Sequence, residues 1–136
     1  MNSFVLMGLW VILVTVFVQW LIASGAKARS TGAIPGKLND TLSHDSFIFR
    51  AHRTFQNSIE NVPFFVAAAF LAIFADVQSQ WLLISVWAFA VARIIHMALY
   101  YAIATEQNPS PRSYFFIIGV IANAVVLVLI LLKWLA

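Results

Sequence analysis

Residues 4–23 read FVLMGLWVILVTVFVQWLIA, an apolar stretch in which only Thr15 and Gln19 are clear polar breaks. About twenty helical residues rise roughly 30 Å, which matches the thickness of the hydrocarbon core of a bilayer. The stretch is longer than the apolar part of a signal peptide, about 7–15 residues, and no basic residue precedes it. It therefore predicts a membrane-spanning helix.

Three further apolar stretches follow the first. The second, Val62–Ala75, is too short to cross a bilayer alone, so its helix must begin earlier, near Asn57. The stretches are separated by a Gly- and Pro-containing loop, a short turn and a Pro-rich connection, all of which interrupt helices. We predict one domain over residues 1–136, an all-α four-helix transmembrane bundle with spans at about 4–23, 57–76, 81–103 and 114–135.

The composition supports a membrane location. Hydrophobic residues make up 62% of the chain and charged residues 10%, whereas soluble domains are close to half apolar and about a quarter charged. The net charge of +3 is too small, and the bases too scattered, to indicate nucleic-acid binding. The absence of cysteine excludes disulfides, thiolate metal sites and a cysteine nucleophile. Any thiol chemistry must therefore use a sulfur supplied by a ligand.

The basic residues predict an orientation. Six of the eight lie near the loops that join helices one to two and three to four, whereas Arg93 lies within helix three and Lys133 lies near the C-terminus. By the positive-inside rule, both termini are outside and these two loops are cytoplasmic. In a prokaryote this would be the inner membrane. The bases near the loops are Lys27, Arg29, Lys37, Arg50, Arg53 and Arg112.

Helix two carries Arg53, Asn57 and Glu60 at spacings i, i+4 and i+7, which place them on one face. Pro63 follows and removes a backbone donor just beyond this stripe. One interpretation is a ladder of ion pairs at the membrane edge. The other is a polar cavity, because an acid at membrane depth is costly and usually faces one.

Helix three carries Arg93, His96 and Tyr100, again on one face. Arg93 lies in the middle of its span and needs a partner, and Glu60 is the one acid of the five that falls inside a span. We therefore predict an Arg93–Glu60 ion pair that docks helix two on helix three and serves a structural role. No second histidine stands at metal-ligand spacing, so no metal site is predicted.

Arg112 and Ser113 open helix four directly after the Pro-rich connection. A base and a hydroxyl beside first-turn amides are typical of an anion site, or of an ordinary snorkelling base with a helix cap. If the three polar patches meet, they form a donor-rich pocket that suits a small ligand with several carboxylates. The apolar helix surfaces beside it suit a lipophilic second ligand.

The motif Arg53-x-x-x-Asn57-x-x-Glu60-x-x-Pro63, preceded by Arg50-Ala51-His52, resembles the signature of the MAPEG proteins, the membrane-associated proteins of eicosanoid and glutathione metabolism. The stretch Arg93–Tyr100, followed by Arg112 and Ser113, is similar to helix three and the start of helix four in microsomal prostaglandin E synthase and microsomal glutathione transferases. The resemblance covers nearly the whole chain.

This resemblance implies a homotrimer that binds glutathione between subunits near the cytoplasmic side. It assigns the thiol-holding and thiol-activating positions to Arg112 and Ser113. Spacing to Glu60 favours Arg53 over Arg50 as a glutathione contact and leaves Arg50 and His52 without a role. The positions that it assigns to glutathione binding are Arg53, Asn57, Glu60, His96, Tyr100 and, approximately, Arg29.

The expected function is that of a glutathione-dependent transferase or peroxidase acting on lipophilic electrophiles. Some relatives bind lipid without catalysis, so a non-catalytic lipid-binding or scaffolding protein is the alternative. A small transporter with Arg93 and Glu60 on an ion path is a second alternative. The sequence alone leaves open whether catalysis is retained.

Overall fold

Four long α-helices make up most of the computed structural model, which describes residues 2–136. They are α1 (Asn2–Ala28), α2 (Phe47–Phe74), α3 (Gln80–Ala102) and α4 (Pro111–Leu135). The shortest has 23 residues, about 35 Å at roughly 1.5 Å per residue, and all four are apolar enough to span a bilayer. The predicted all-α, four-helix membrane bundle is confirmed.

Two helices extend beyond the predicted spans. α1 continues past residue 23 to Ala28, and α2 begins at Phe47 rather than near residue 57. The added part of α2 is polar on its outer side but buries Ala51 and Thr54. A helix persists wherever one face stays packed, whereas hydropathy detects only the part that is apolar all round. The sequence therefore located the spans better than the helix ends.

The core lies where α3 packs against the other three helices. Phe65 of α2 stacks on Phe89 of α3, with ring centroids 3.9 Å apart and planes 7° from parallel. Gly8 allows a close approach of α1 to α3, because a Cβ atom there would stand 2.5 Å from Cγ1 of Val86. Small residues and stacked rings thus let the helices pack closely, as they do in membrane proteins generally.

The outer surface of the bundle is apolar and the interior holds polar groups. Gln19, Ser58 and Arg93 are almost completely buried. Lipid tails solvate apolar side chains, so a membrane protein does not need to keep its apolar residues inside and its polar residues outside as a soluble protein does. The large exposed apolar residues include Trp10, Phe64, Phe74, Leu127 and Leu131.

Candidate functional site

The predicted stripe on α2 runs along the boundary between the exposed and the packed side of the helix, and Asn57 is its member nearest the packed side. Arg53 and Glu60 are exposed, whereas Asn57 is half-buried. Each helical residue turns about 100°, so a residue two positions after a buried one lies on nearly the opposite side. Arg53 and Glu60 stand two positions after buried Ala51 and Ser58, respectively. We call Arg53 and Glu60 the outward face of α2, and Asn57 and Ser58 its inward face.

Arg93 contacts the inward face of α2. Its side chain is only 2% exposed, and its Nη2 donates to Oδ1 of Asn57 at 2.8 Å and to Oγ of Ser58 at 2.9 Å. Within the single chain Arg93 does not form the predicted ion pair with Glu60, since the one ion pair within 4.0 Å among residues 2–136 joins His44 to Glu106. Glu60 is exposed, and within the single chain neutral oxygens of α2 serve as the acceptors for Arg93.

The end of α3 and the start of α4 meet in a second polar region. The guanidinium carbon of Arg112 lies 4.0 Å from the centroid of the Tyr100 ring, a cation–π contact. Nη2 of Arg112 donates to the carbonyl of Thr105 at 3.2 Å. Nη1 of Arg112 is buried and has no hydrogen-bond partner among residues 2–136. One face of this guanidinium is therefore held by the Tyr100 ring, while Nη1 lacks an acceptor among the described residues.

His44, from the loop between α1 and α2, completes this region. Its Nε2 lies 3.1 Å from the Tyr100 hydroxyl oxygen and 3.5 Å from Nη2 of Arg112. Its Nδ1 lies 3.6 Å from Oε1 of Glu106. We call His44, Tyr100, Glu106 and Arg112 the Arg112 cluster. Sequence reasoning missed His44 because no spacing rule connects a loop residue to partners more than fifty positions away.

Arg50 holds the loop that carries His44. Its Nη1 donates to the carbonyls of His44 at 2.6 Å and Asp45 at 2.9 Å, and its Nη2 donates to the carbonyl of Tyr101 at 3.3 Å. The last carbonyls of a helix lack partners within the helix, and arginine is well suited to bind them. Arg50 therefore has a structural role that its sequence position did not reveal.

The remaining predicted site residues are placed differently. His96 is buried with its ring 5.7 Å from that of Tyr100, and its Nδ1 has no partner among the described residues. The Ser113 hydroxyl oxygen accepts a hydrogen bond from the backbone N–H of Ser110 at 3.1 Å, which caps α4. Arg29 is exposed just beyond the end of α1. The chain thus brings Tyr100, His96 and Arg112 together and leaves Arg29, Arg53 and Glu60 outside that group.

Two apolar clefts open on the outer surface. One, of about 430 Å³, lies between α1 and α2, and the other, of about 490 Å³, lies between α3 and α4. Either has the volume of a small-molecule site and suits an acyl chain or another lipophilic group. The first is lined by Leu13, Val16, Phe17, Trp20, Phe55, Ile59, Val62, Pro63 and Val66, and the second by Ile84, Trp87, Ala88, Val91, Ala92, Phe115 and Ile118.

Comparison with known proteins agrees with these features. Residues 4–132 match the family model described as the MAPEG family. The chain belongs to the MAPEG family. Membership confirms the resemblance found in the sequence and associates this MAPEG protein with the membrane proteins of glutathione or eicosanoid metabolism. No curated protein and no solved structure matched the chain.

The Arg112 cluster of this MAPEG protein is suited to binding an anion. Arg112 is the second residue of α4, where first-turn amides add partial positive charge to that of the guanidinium. The Tyr100 ring fixes the position of the guanidinium, and the Tyr100 hydroxyl lies beside it. Such an arrangement can hold a carboxylate or stabilise a thiolate, because both are anions that accept hydrogen bonds.

Proposed function

We propose that this chain is a glutathione-dependent transferase or peroxidase that acts on lipophilic electrophiles in the membrane. The observation that carries the proposal is the set of contacts made by the Arg112 guanidinium. Its guanidinium is fixed on Tyr100, and its buried Nη1 has no partner among the described residues. A buried donor without a protein acceptor is costly, and a ligand that accepts a hydrogen bond from it would remove that cost.

Arg112 would act on the thiol of glutathione. A free thiol has a pKa near 8.5, so it is mostly protonated at neutral pH. A fixed guanidinium favours the thiolate and lowers this pKa, and the proton leaves to solvent. The sulfur then forms a bond to the electrophilic carbon as the leaving group departs. With a hydroperoxide, the thiolate attacks the terminal oxygen, the O–O bond breaks, and the products are the alcohol, which takes up a proton, and the sulfenic acid of glutathione. The thiol of a second glutathione then displaces water from the sulfenic acid and forms the disulfide.

The outward face of α2 would hold the peptide part of glutathione. Arg53 can bind a carboxylate through a pair of hydrogen bonds, and Glu60 can accept from the glutathione amine. Both side chains are exposed in the single chain and lie apart from the Arg112 cluster. We infer that a homotrimer completes the site, with the outward face of one copy meeting the Arg112 cluster of another.

The two apolar clefts support the second part of the proposal and also one alternative. Their linings are almost entirely apolar, so they offer a lipophilic substrate a path from the bilayer. The same surfaces would serve a non-catalytic lipid-binding or scaffolding protein. The transporter alternative loses its support, because Arg93 is bonded to Asn57 and Ser58 and does not face Glu60.

The proposed orientation places both termini outside and the loops that follow α1 and α3 in the cytoplasm. It rests on the bases in those loops, among them Lys37 and Arg112. Glutathione would then reach the Arg112 cluster from the cytoplasm. Reporter fusions at Lys37 and Asn108 should report a cytoplasmic location, and a cytoplasmic C-terminus would contradict this topology.

The direct test is glutathione binding to the purified protein in detergent, measured by calorimetry, together with turnover of a lipophilic electrophile. We expect saturable binding and an ultraviolet thiolate absorbance that develops when glutathione is added. Binding without turnover would favour the non-catalytic alternative. Absence of binding to a protein that is folded and oligomeric would remove the enzymatic proposal.

A further inference from the structure

The α1–α2 loop reaches the Arg112 cluster through a single side chain, that of His44. The imidazole stacks on the Tyr100 ring at a centroid distance of 5.9 Å and an angle of 17°. It also packs edge-on against Phe49 at 4.9 Å. Arg50 fixes the backbone of the same residue through its carbonyl. His44 is therefore held from three sides, which is unusual for a residue of a surface loop.

The neighbours of His44 indicate which of its nitrogens carries the proton. A guanidinium only donates hydrogen bonds, so the 3.5 Å contact between Nε2 and Nη2 of Arg112 favours the tautomer in which Nε2 presents its lone pair. The proton of the neutral ring then lies on Nδ1, the atom that faces the Glu106 carboxylate. With Nε2 as acceptor, the Tyr100 hydroxyl donates to it across 3.1 Å.

We propose that His44 is a positioning residue of the glutathione site, an inference that rests on the proposed function. Nε2 of His44 and the Thr105 carbonyl together engage Nη2 of Arg112. The guanidinium cannot turn on the Tyr100 ring without losing both contacts, so these contacts fix the direction in which Nη1 points. His44 acts through Arg112 and Tyr100 and does not touch the sulfur.

Three substitutions at this position separate positioning from proton transfer. Glutamine places an amide oxygen near the position of Nε2, asparagine reaches only the position of Nδ1, and alanine supplies no acceptor. We expect His44→Ala and His44→Asn to lower kcat about tenfold, the usual cost of losing a group that orients a functional residue, with a smaller change in KM for glutathione. His44→Gln should retain most of the activity.

The matched control is Ser43→Ala, in the same loop. The Ser43 hydroxyl is not a hydrogen-bond partner of Arg112 or Tyr100, so its removal should leave kcat and the thiolate absorbance unchanged. If His44→Gln is as impaired as His44→Ala, the imidazole itself transfers protons and the positioning role is wrong. Full activity of His44→Ala would also overturn it.

A second measurement does not depend on glutathione. The protein has three histidines, and nitrogen NMR of ¹⁵N-histidine-labelled protein in detergent at alkaline pH shows which nitrogen of each neutral ring is protonated. The His44 signals are those lost in His44→Gln. We expect a proton on Nδ1 and a shift of the Nε2 signal in Arg112→Ala. A proton on Nε2, or no response to Arg112→Ala, would overturn the contact, whereas failed glutathione binding with the expected NMR result would overturn only the enzymatic proposal.

Discussion

The two faces of α2 carry polar residues in different surroundings. On the inward face, Asn57 and Ser58 accept hydrogen bonds from Arg93 and are satisfied within one chain. On the outward face, Arg53 and Glu60 are exposed and are not part of the one ion pair found among residues 2–136. The residues of the motif therefore have different surroundings within the single chain. Asn57 helps to hold α2 on α3, whereas Arg53 and Glu60 are exposed.

The comparison explains how an arginine can lie at membrane depth without a carboxylate. Two neutral oxygens accept from Nη2 of Arg93, and their dipoles compensate part of the cost of burying the charge. Leaving Glu60 outside this contact keeps a carboxylate free for a ligand. Four predictions test this division, beginning with the largest expected effect.

Arg93→Ala should reduce the free energy of unfolding by about 3–5 kcal/mol, since it removes a fully buried side chain and leaves Asn57 and Ser58 without their donor. Denaturation in mixed detergent micelles measures the loss. In a double-mutant cycle, Arg93→Ala and Asn57→Ala should be strongly coupled. Arg93→Ala and Glu60→Ala should add within about 0.5 kcal/mol. If Arg93 couples more strongly to Glu60 than to Asn57, Arg93 and Glu60 form an ion pair and the division of α2 into two faces is wrong.

Arg112→Ala should lower turnover about 100-fold and raise the pKa of the bound glutathione thiol, because it removes a fixed cation that stabilises the anion. Affinity should fall less than turnover. Arg112→Lys should rescue only in part, since an ammonium lacks the planar fork that lies on Tyr100. Turnover and the pH dependence of thiolate absorbance are the measurements.

The control for Arg112 is Lys133→Ala, which removes a base from the other end of the same helix. It should leave turnover and thiolate formation unchanged. If Arg112→Ala weakens affinity as much as turnover while thiolate formation persists, Arg112 binds the peptide and does not activate the thiol.

Arg53→Ala should weaken glutathione binding about 10- to 100-fold, the loss expected for a charge-assisted hydrogen bond worth about 1.5–3 kcal/mol, with kcat nearly unchanged. Calorimetry measures the affinity, and Lys37→Ala, a loop base outside the motif, is the control. Normal affinity in Arg53→Ala would show that the outward face of α2 does not bind glutathione.

Gln19→Leu should increase the free energy of unfolding by about 1 kcal/mol, because neither amide atom of this fully buried side chain has a partner among residues 2–136. Thiolate formation should not change. Thr15→Val is the matched control, since the Thr15 hydroxyl already donates to the Val11 carbonyl at 2.8 Å. A loss of stability in Gln19→Leu would mean that the amide has a polar partner outside the single chain.

The Arg112 cluster shows how far sequence reasoning can reach into the site. Arg112 and Tyr100 were both identified from their motifs, and the structure places them in direct contact. His44 and Arg50 were not assigned, although they hold the same region together. A motif reports residues that share one helix face, whereas these contacts join a loop to two helix ends. These contacts form only when the loop between α1 and α2 folds back onto the helix ends, and no regular spacing in the sequence indicates that.

Four membrane-spanning helices, the membrane as solvent and the family could all be predicted from the amino-acid sequence, because apolar length and motif spacing are properties of a continuous segment. Tertiary structure decided which partner each polar group has. The Arg93 case shows the reason: composition identified Glu60 as the only acid at membrane depth, but the rotation of α2 about its own axis turned Asn57 and Ser58 toward α3. That rotation is set by the packing of Phe65 on Phe89 and of small residues between helices, which no single helix specifies alone.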